Sequence, residues 1–308
     1  MRRNSILILL IIFWDTTFSQ TPLAITIDDL PGVSQLPKWP INQRIVDSLA
    51  INNWPAIGFV NEHKFYDKEG VLENEQTEIL DLWLSNGFEL GNHTFSHLNY
   101  HSTKPADYFE NIEMGSILTK PLAMKYASQY RYFRHPYLRN GQTKKKKQQL
   151  NNYLKNEGYQ IAPVTIDNSD WLFAAAYEKA YLAEDFKMLD SISKAYVQYM
   201  VNISIHYREK AKELVGRDIP HIHLMHVNLM NSFLIATVIK ELEKADFEIV
   251  PLQDVLTDPV YEWEDGYYGP AGISWIERWA IAQNKPKEFF EDFIETPQFV
   301  QDYAGRSE

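Results

Sequence analysis

Three observations predict an α/β fold of the (β/α) barrel type, incomplete rather than closed by eight full units. Short apolar runs alternate with stretches of helical period from residue 23 to residue 250. They amount to about seven βα units in about 235 residues, the spacing of a TIM-like barrel. No glycine-rich phosphate loop follows the first run, which argues against an open doubly wound sheet.

The first candidate strand, 23–27, is a β-rich run that ends at Asp28-Asp29, with Pro31-Gly32 as punctuation. A helix over 41–53 leads to a strand at 55–60. The helix 74–86 closes at Asn86-Gly87 before the short strand 88–90, and the helix 105–118 precedes the strand 131–133. The helix 142–157 closes at Glu157-Gly158, and the strand 159–166 follows. Helices over 172–186 and 188–213 lie within a long helical addition, 172–218. The strand 220–225, the helix 231–244 and the strand 246–250 complete the pattern. In the tail, Tyr267-Tyr268-Gly269-Pro270 reads as a loop, and Trp275-Ile276-Glu277-Arg278-Trp279 opens helical segments. With no internal repeat or linker visible, we expect a signal segment at 1–19, one barrel domain at 20–258, and a C-terminal helical extension at 259–308 packed on the barrel.

Composition narrows the possible functions. A chain of 308 residues that is 45% hydrophobic and 14% aromatic has ample material for a packed core. Met1-Arg2-Arg3, the apolar run from Ile6 to Trp14 and Thr17-Phe18-Ser19-Gln20 form the three parts of a secretory signal. Cleavage near Ser19-Gln20 would leave an exported protein, periplasmic or secreted, with no stable membrane span; the competing reading is an uncleaved anchor. No cysteine is present, so a metal would have to be held by His and carboxylate. The net charge is −11, and removing Arg2, Arg3 and Asp15 with the signal leaves −12, which disfavours nucleic acid and anionic membranes as partners. The basic run Lys144 to Lys147 reads as a solvated helix face.

Five stretches carry chemistry. Aspartates are costly at the end of an apolar strand, so Asp28-Asp29 is either a solvated turn or a site where one carboxylate binds a metal and the other handles a proton. In His93-Thr94-Phe95-Ser96-His97, two imidazoles four apart would share one face of a helical turn and grip one ion. His101 pairs with His97 at the same spacing but lies farther from the strand end, and reads as a surface or supporting residue. Arg134-His135-Pro136-Tyr137 and Asp167-Asn168-Ser169-Asp170-Trp171 end two further candidate strands. In Ile222-His223-Leu224-Met225-His226, the residues Ile222, Leu224 and His226 share one face. Each stretch falls at the C-terminal end of a candidate strand, where barrel active sites are assembled.

Together, Thr26-Ile27-Asp28-Asp29, His93-Thr94-Phe95-Ser96-His97, Arg134-His135-Pro136-Tyr137, Asp167-Asn168-Ser169-Asp170-Trp171 and Leu224-Met225-His226 resemble the five motifs of the polysaccharide deacetylase family, the family-4 carbohydrate esterases, over residues 23–256. The resemblance implies a distorted (β/α) barrel and a divalent metal, zinc first, with cobalt, nickel or manganese as alternatives, held by Asp29, His93 and His97. Asp28 matches the general base and His226 the general acid that protonates the leaving amine. Arg134 matches the partner that favours ionised Asp28, and Asp170 the partner that favours protonated His226. Tyr137 matches the residue whose backbone N–H stabilises the oxyanion, and Trp171 and Leu224 the walls of an acetyl-methyl pocket.

The implied substrate is an N-acetylated glycan: chitin-like, peptidoglycan or exopolysaccharide. Hydrolysis of a non-sugar C–N bond and a glycan-binding pseudoenzyme are the rival readings. The chain leaves the family pattern at Leu30-Pro31, where relatives have glycine, so the mouth beside the metal is expected to differ. No catalytic role is expected for Glu62, His63, Asp167, His206, His221 or His223.

Overall fold

A computed structural model describes residues 20–307, so the expected signal segment lies outside the described residues. The first strand, β1 (Thr21–Leu30), pairs with three others in a parallel sheet and is buried on both faces, the reason Leu23, Ala24, Ile25, Ile27 and Leu30 are apolar on both sides of it. Helix α1 (Lys38–Ile51) leads to β2 (Ala56–Val60), and α2 (Asn74–Ser85) to β3 (Glu89–Asn92). Helices α3 (Pro105–Met114) and α4 (Thr119–Lys125) precede β4 (Tyr132–Phe133), and α5 (Lys144–Asn156) precedes β5 (Gln160–Ile161). Then come α6 (Asp170–Leu182), α7 (Phe186–Val215), β6 (His221–His226), α8 (Leu229–Lys244), β7 (Phe247–Ile249), α9 (Leu252–Val255), α10 (Trp275–Ala282) and α11 (Gln298–Ala304).

The sheet order is β5-β4-β3-β2-β1-β6, with β7 against the start of β1. Every pairing is parallel. Beyond β5 the chain runs on to bridge β6: Ile166 N–H donates to Ile222 O at 3.0 Å and Leu224 N–H to Ile166 O at 3.2 Å. The sheet therefore curls into the expected incomplete barrel. Inside it, Ala24, Ile57, Phe59, Tyr132, Ala162 and Ile222 form a small core, closed at the N-terminal end by Leu252 and Val255 of α9. Outside it, Leu23, Ile25 and Ile27 join the larger core beneath the helices.

Several boundaries differ from expectation for local reasons. The strand expected over 159–166 is interrupted, because Pro163 has no N–H to donate to a ladder. The helix expected over 105–118 stops at Met114. At Gly115 a Cβ would lie 2.7 Å from the Thr94 carbonyl carbon, and α4 begins only where Leu118 N–H and Thr119 N–H donate to the buried Glu62 carboxylate. Within the basic run, Lys147 is buried rather than solvated, its Nζ lying 2.8 Å from Asp265 Oδ1. It lies on the face of α5 turned towards the tail.

The helical addition is held by periodicity. Ile192, Tyr196, Tyr199, Ile203, Tyr207, Ala211 and Leu214 form one buried stripe along α7. Asp185 caps the start of that helix by accepting from Met188 N–H, and Gly216 ends it at φ 80°. In the tail, Ser274 and Glu277 form a reciprocal capping box on α10. Trp275, Ile276, Trp279, Phe289 and Val300 enter the main core.

Candidate active site

The site lies at the C-terminal ends of the strands. Asp28 points into the barrel and is 2% exposed, while Asp29 adopts φ 71° as the β1–β2 register shifts between Ile27 and Leu30. This bulge lets successive carboxylates serve one volume, which a regular strand would forbid. Leu30, the departure noted in the motif, is fully buried and packs against Gly58 in the core, so its side chain does not shape the mouth.

His93 and His97 come together, but not on a helical turn. Residues after β3 form a loop in which Thr94 and His97 have φ of 65° and 54°. Asn92 Oδ1 accepts from Thr94 N–H, and Asn111 accepts from Phe95 N–H and Ser96 N–H, holding the loop open. The spacing was informative for a different geometric reason than helical periodicity. His93 Nδ1 lies 2.9 Å from the Arg134 carbonyl, which accepts only, so Nδ1 carries the proton and Nε2 is left as an electron-pair donor.

Asp29, His93 and His97 each offer a ligand atom within 4.8 Å of one another. Burial pushes the His93 imidazole well below its ordinary range and the His97 imidazole down to about 4. Burial would raise the Asp29 carboxyl, but Lys64, His97, His226 and His93 together hold it well below the usual range. Two neutral imidazoles and one ionised carboxylate are a donor set that fits a divalent cation and leaves coordination positions free.

Around this set stand the proton-handling candidates. Asp28 Oδ2 lies 3.7 Å from His93 Nε2 and 3.8 Å from Arg134 Nη1. Burial raises the Asp28 carboxyl to about 6 against the opposing pull of Arg134, so burial outweighs the arginine without abolishing ionisation at neutral pH. The fully buried Arg134 donates from Nη2 to Thr26 Oγ1 at 2.8 Å. His226 Nδ1 donates to Asp170 Oδ1 at 2.6 Å, and His226 N–H to Asp170 Oδ2 at 2.8 Å. Burial would lower the imidazole, but Asp170 raises it to about 10.

Tyr137 has its ring edge-on to His97 at 4.4 Å between centroids and is 52% exposed. Trp171 opens α6 and is 41% exposed, whereas Leu224 is buried on the inward face of β6. Asp28, Asp29, His93, His97, Arg134, Asp170 and His226 thus form one connected cluster, with Tyr137 against it. Trp171 follows Asp170 directly in the first turn of α6.

Two contributors, Lys64 and Asn231, lie outside the motifs, and a third, Asn168, lies inside one of them without a role of its own in the sequence reading. Lys64, on the turn after β2, places Nζ 3.2 Å from Asp29 Oδ1. Asn231 donates from Nδ2 to Asp170 Oδ2 at 3.0 Å, and Asn168 Oδ1 accepts from Asp170 N–H, so both orient the partner of His226. Residues that were assigned no catalytic role have structural ones: Glu62 caps α4, and the buried His223 pairs with Ser204 behind the sheet.

A curled parallel half-barrel with an Asp-His-His set that could hold a metal ion at its strand ends is consistent with the incomplete barrel of the deacetylase class that the motifs resemble. The family model described as Polysaccharide deacetylase matches residues 15–162, so the chain carries a polysaccharide deacetylase domain there, as its motifs led us to expect. Among solved structures, a mutant of BA3943, described as a CE4 family pseudoenzyme with restored enzymatic activity, is similar at TM-score 0.52 and 14% identity, over 77% of this chain and 68% of that one. A second BA3943 mutant is similar at TM-score 0.50 and 13% identity, over 77% and 67%. The Bc1960 peptidoglycan N-acetylglucosamine deacetylase is similar at TM-score 0.49 and 17% identity, over 77% and 91%. At these identities the likeness is one of fold. No curated protein matches the chain.

Proposed function

We propose that the chain is an exported, metal-dependent deacetylase that hydrolyses the acetamide of an N-acetylated glycan. One observation carries the reading: Asp28 and His226 are register partners on neighbouring strands, beside the Asp29-His93-His97 donor set. A buried carboxylate poised near 6 and an imidazole held protonated to about 10 are a base and an acid in the right states at neutral pH.

Asp29, His93 and His97 would hold the cation, with zinc as the first choice from the two nitrogen donors and one carboxylate. When bound, a divalent cation polarises the scissile carbonyl and makes water more acidic. Asp28 takes the proton of the attacking water as the C–O bond forms. Protonated His226 delivers its proton to the departing nitrogen as the C–N bond breaks, so acetate and the free amine leave. Asp170 keeps His226 oriented and charged, and Arg134 holds Asp28 towards its ionised form. The Tyr137 backbone N–H supplies an oxyanion donor, and Trp171 and Leu224 form walls for the acetyl methyl. The signal at 1–19 and the boundary near 258 belong to the same reading.

Against the rival pseudoenzyme reading, this chain keeps the candidate base, the candidate acid and all three candidate ligands. Acetate release from N-acetylglucosamine oligomers, peptidoglycan and exopolysaccharide, with and without chelator and added Zn2+, tests the proposal. Metal-replete protein that releases no acetate from any of them overturns it.

A further inference from the structure

Tyr137 and Leu138 both have left-handed backbones, at φ 57° and 54°. Residues with side chains rarely adopt this conformation, and two in succession need support from outside the loop. That support comes from the tail, more than a hundred residues away in sequence.

Arg278 of α10 is completely buried. Its Nη2 donates to the Leu138 carbonyl at 2.5 Å, its Nη1 to Asn140 Oδ1 at 3.1 Å and Asp265 Oδ2 at 3.0 Å, and its Nε to the Ile273 carbonyl at 3.0 Å. Its guanidinium lies 4.4 Å from the Trp275 ring centre. Asp265 in turn accepts from Asn140 Nδ2 at 2.7 Å and pairs with Lys147. Each nitrogen of this planar fork therefore donates, and two of its bonds end on the loop that carries Tyr137.

Gly272 makes the second contact. A Cβ there would lie 1.9 Å from the Tyr137 carbonyl oxygen, so the tail backbone is pressed directly on Tyr137 and admits no side chain. The tail is itself fixed to the barrel wall: Ser274 Oγ donates to the Thr165 carbonyl at 2.8 Å, and Trp275 N–H to the Val164 carbonyl at 2.7 Å. The tail thus bridges the barrel wall and the rim loop.

We infer that Arg278 and Gly272 of the C-terminal extension are positioning residues of the active site, clamping residues 137–140 so that Tyr137 keeps its left-handed backbone and its place against His97. This rests on the deacetylase reading, since it is the Tyr137 N–H that the clamp aims. The metal triad is on β1 and the loop after β3, which Arg278 and Gly272 do not touch. The clamp therefore acts on turnover and not on metal affinity.

The experiment compares the full chain with Arg278→Lys, Arg278→Ala and Gly272→Ala. It measures kcat and KM for acetate release, Zn2+ affinity, and hydrogen exchange of the 137–140 amides. Arg278→Lys keeps the charge but loses the fork, so it serves as the readout if Arg278→Ala does not fold. The expected result is a kcat lowered about 10²-fold with KM changed little, Zn2+ affinity within about threefold of the parent, faster exchange at 137–140, and partial rescue of Arg278→Ala by added methylguanidinium. Folded variants with parental kcat overturn the inference, whatever their melting temperature. So does Zn2+ affinity that falls in step with kcat. A parent inactive on every glycan overturns the deacetylase reading instead, and exchange at 137–140 in the variants then decides the clamp by itself: unchanged exchange overturns it.

Discussion

Asp28 and His226 are direct register partners across the parallel pair of β1 and β6, with Val227 N–H donating to the Asp28 carbonyl at 3.0 Å. Neighbouring strands lie only about 4.8 Å apart, so this register alone brings a carboxylate and an imidazole 198 positions apart in the chain to one site. Their environments then divide the proton work.

The pH profile of kcat/KM should show that division. Burial raises Asp28 to about 6, so the rate is expected to rise with pH until this carboxyl is ionised; a bound cation moves that limb lower. Asp170 raises His226 to about 10, so the rate should fall only as pH passes that value. Asp170→Asn is expected to bring the alkaline limb down by two units or more, measured as initial rates from pH 5 to 11. An alkaline limb unmoved in that variant would show that another group is the acid.

Metal binding should follow the triad. Asp29→Ala, His93→Ala and His97→Ala are each expected to lose Zn2+ uptake by elemental analysis and to lower acetate release at least ~10³-fold. Asp28→Asn should bind Zn2+ as the parent does and still be inactive. Loss of metal from Asp28→Asn would mean that this carboxylate is a ligand and not the base.

Lys64 competes with a cation for Asp29, since its ammonium lies 3.2 Å from Asp29 Oδ1. Lys64→Met is expected to tighten Zn2+ affinity on the order of tenfold by removing that like charge. Competition with a chromogenic chelator measures it. Weaker binding in the variant would show that Lys64 supports the site.

Acid should destabilise the fold through its buried imidazoles. Burial, then Arg208 and His223, push His221 down to about 3, while in the unfolded chain it titrates near 6.5. Between these values the unfolded state binds the extra proton, so stability falls as pH drops through that window, by up to about 1.4 kcal/mol per pH unit for this group. His221→Gln should flatten the dependence of denaturation midpoint on pH between 6 and 4, and an unchanged slope would rule His221 out as a contributor.

Much of this was legible in the chain. The alternation of apolar runs and helical stretches marked all seven strands, most plainly β1 and β2, where burial on both faces favours Val, Ile, Leu and Ala. Polar residues at the ends of such runs stood out because they cost free energy there. Less legible were features with no period. The loop holding His93 and His97 depends on Asn92 and Asn111, and nothing local marks Asn111 as its anchor. Lys147 looked like its exposed neighbours until Asp265 supplied a partner.

Residue order by itself determined which strands form, which side chains stand at their ends and which chemistry those side chains can perform, since these depend on the period of burial and on functional groups. Only the tertiary structure decided how they meet. The bulge that turns Asp29 beside Asp28, the placing of Lys64 on Asp29, the Asn231 contact to Asp170 and the reach of Arg278 to Leu138 all join residues through space. Such contacts follow from the curl of the sheet and the packing of the tail, and a linear pattern of hydrophobicity carries no record of which distant polar atom satisfies another.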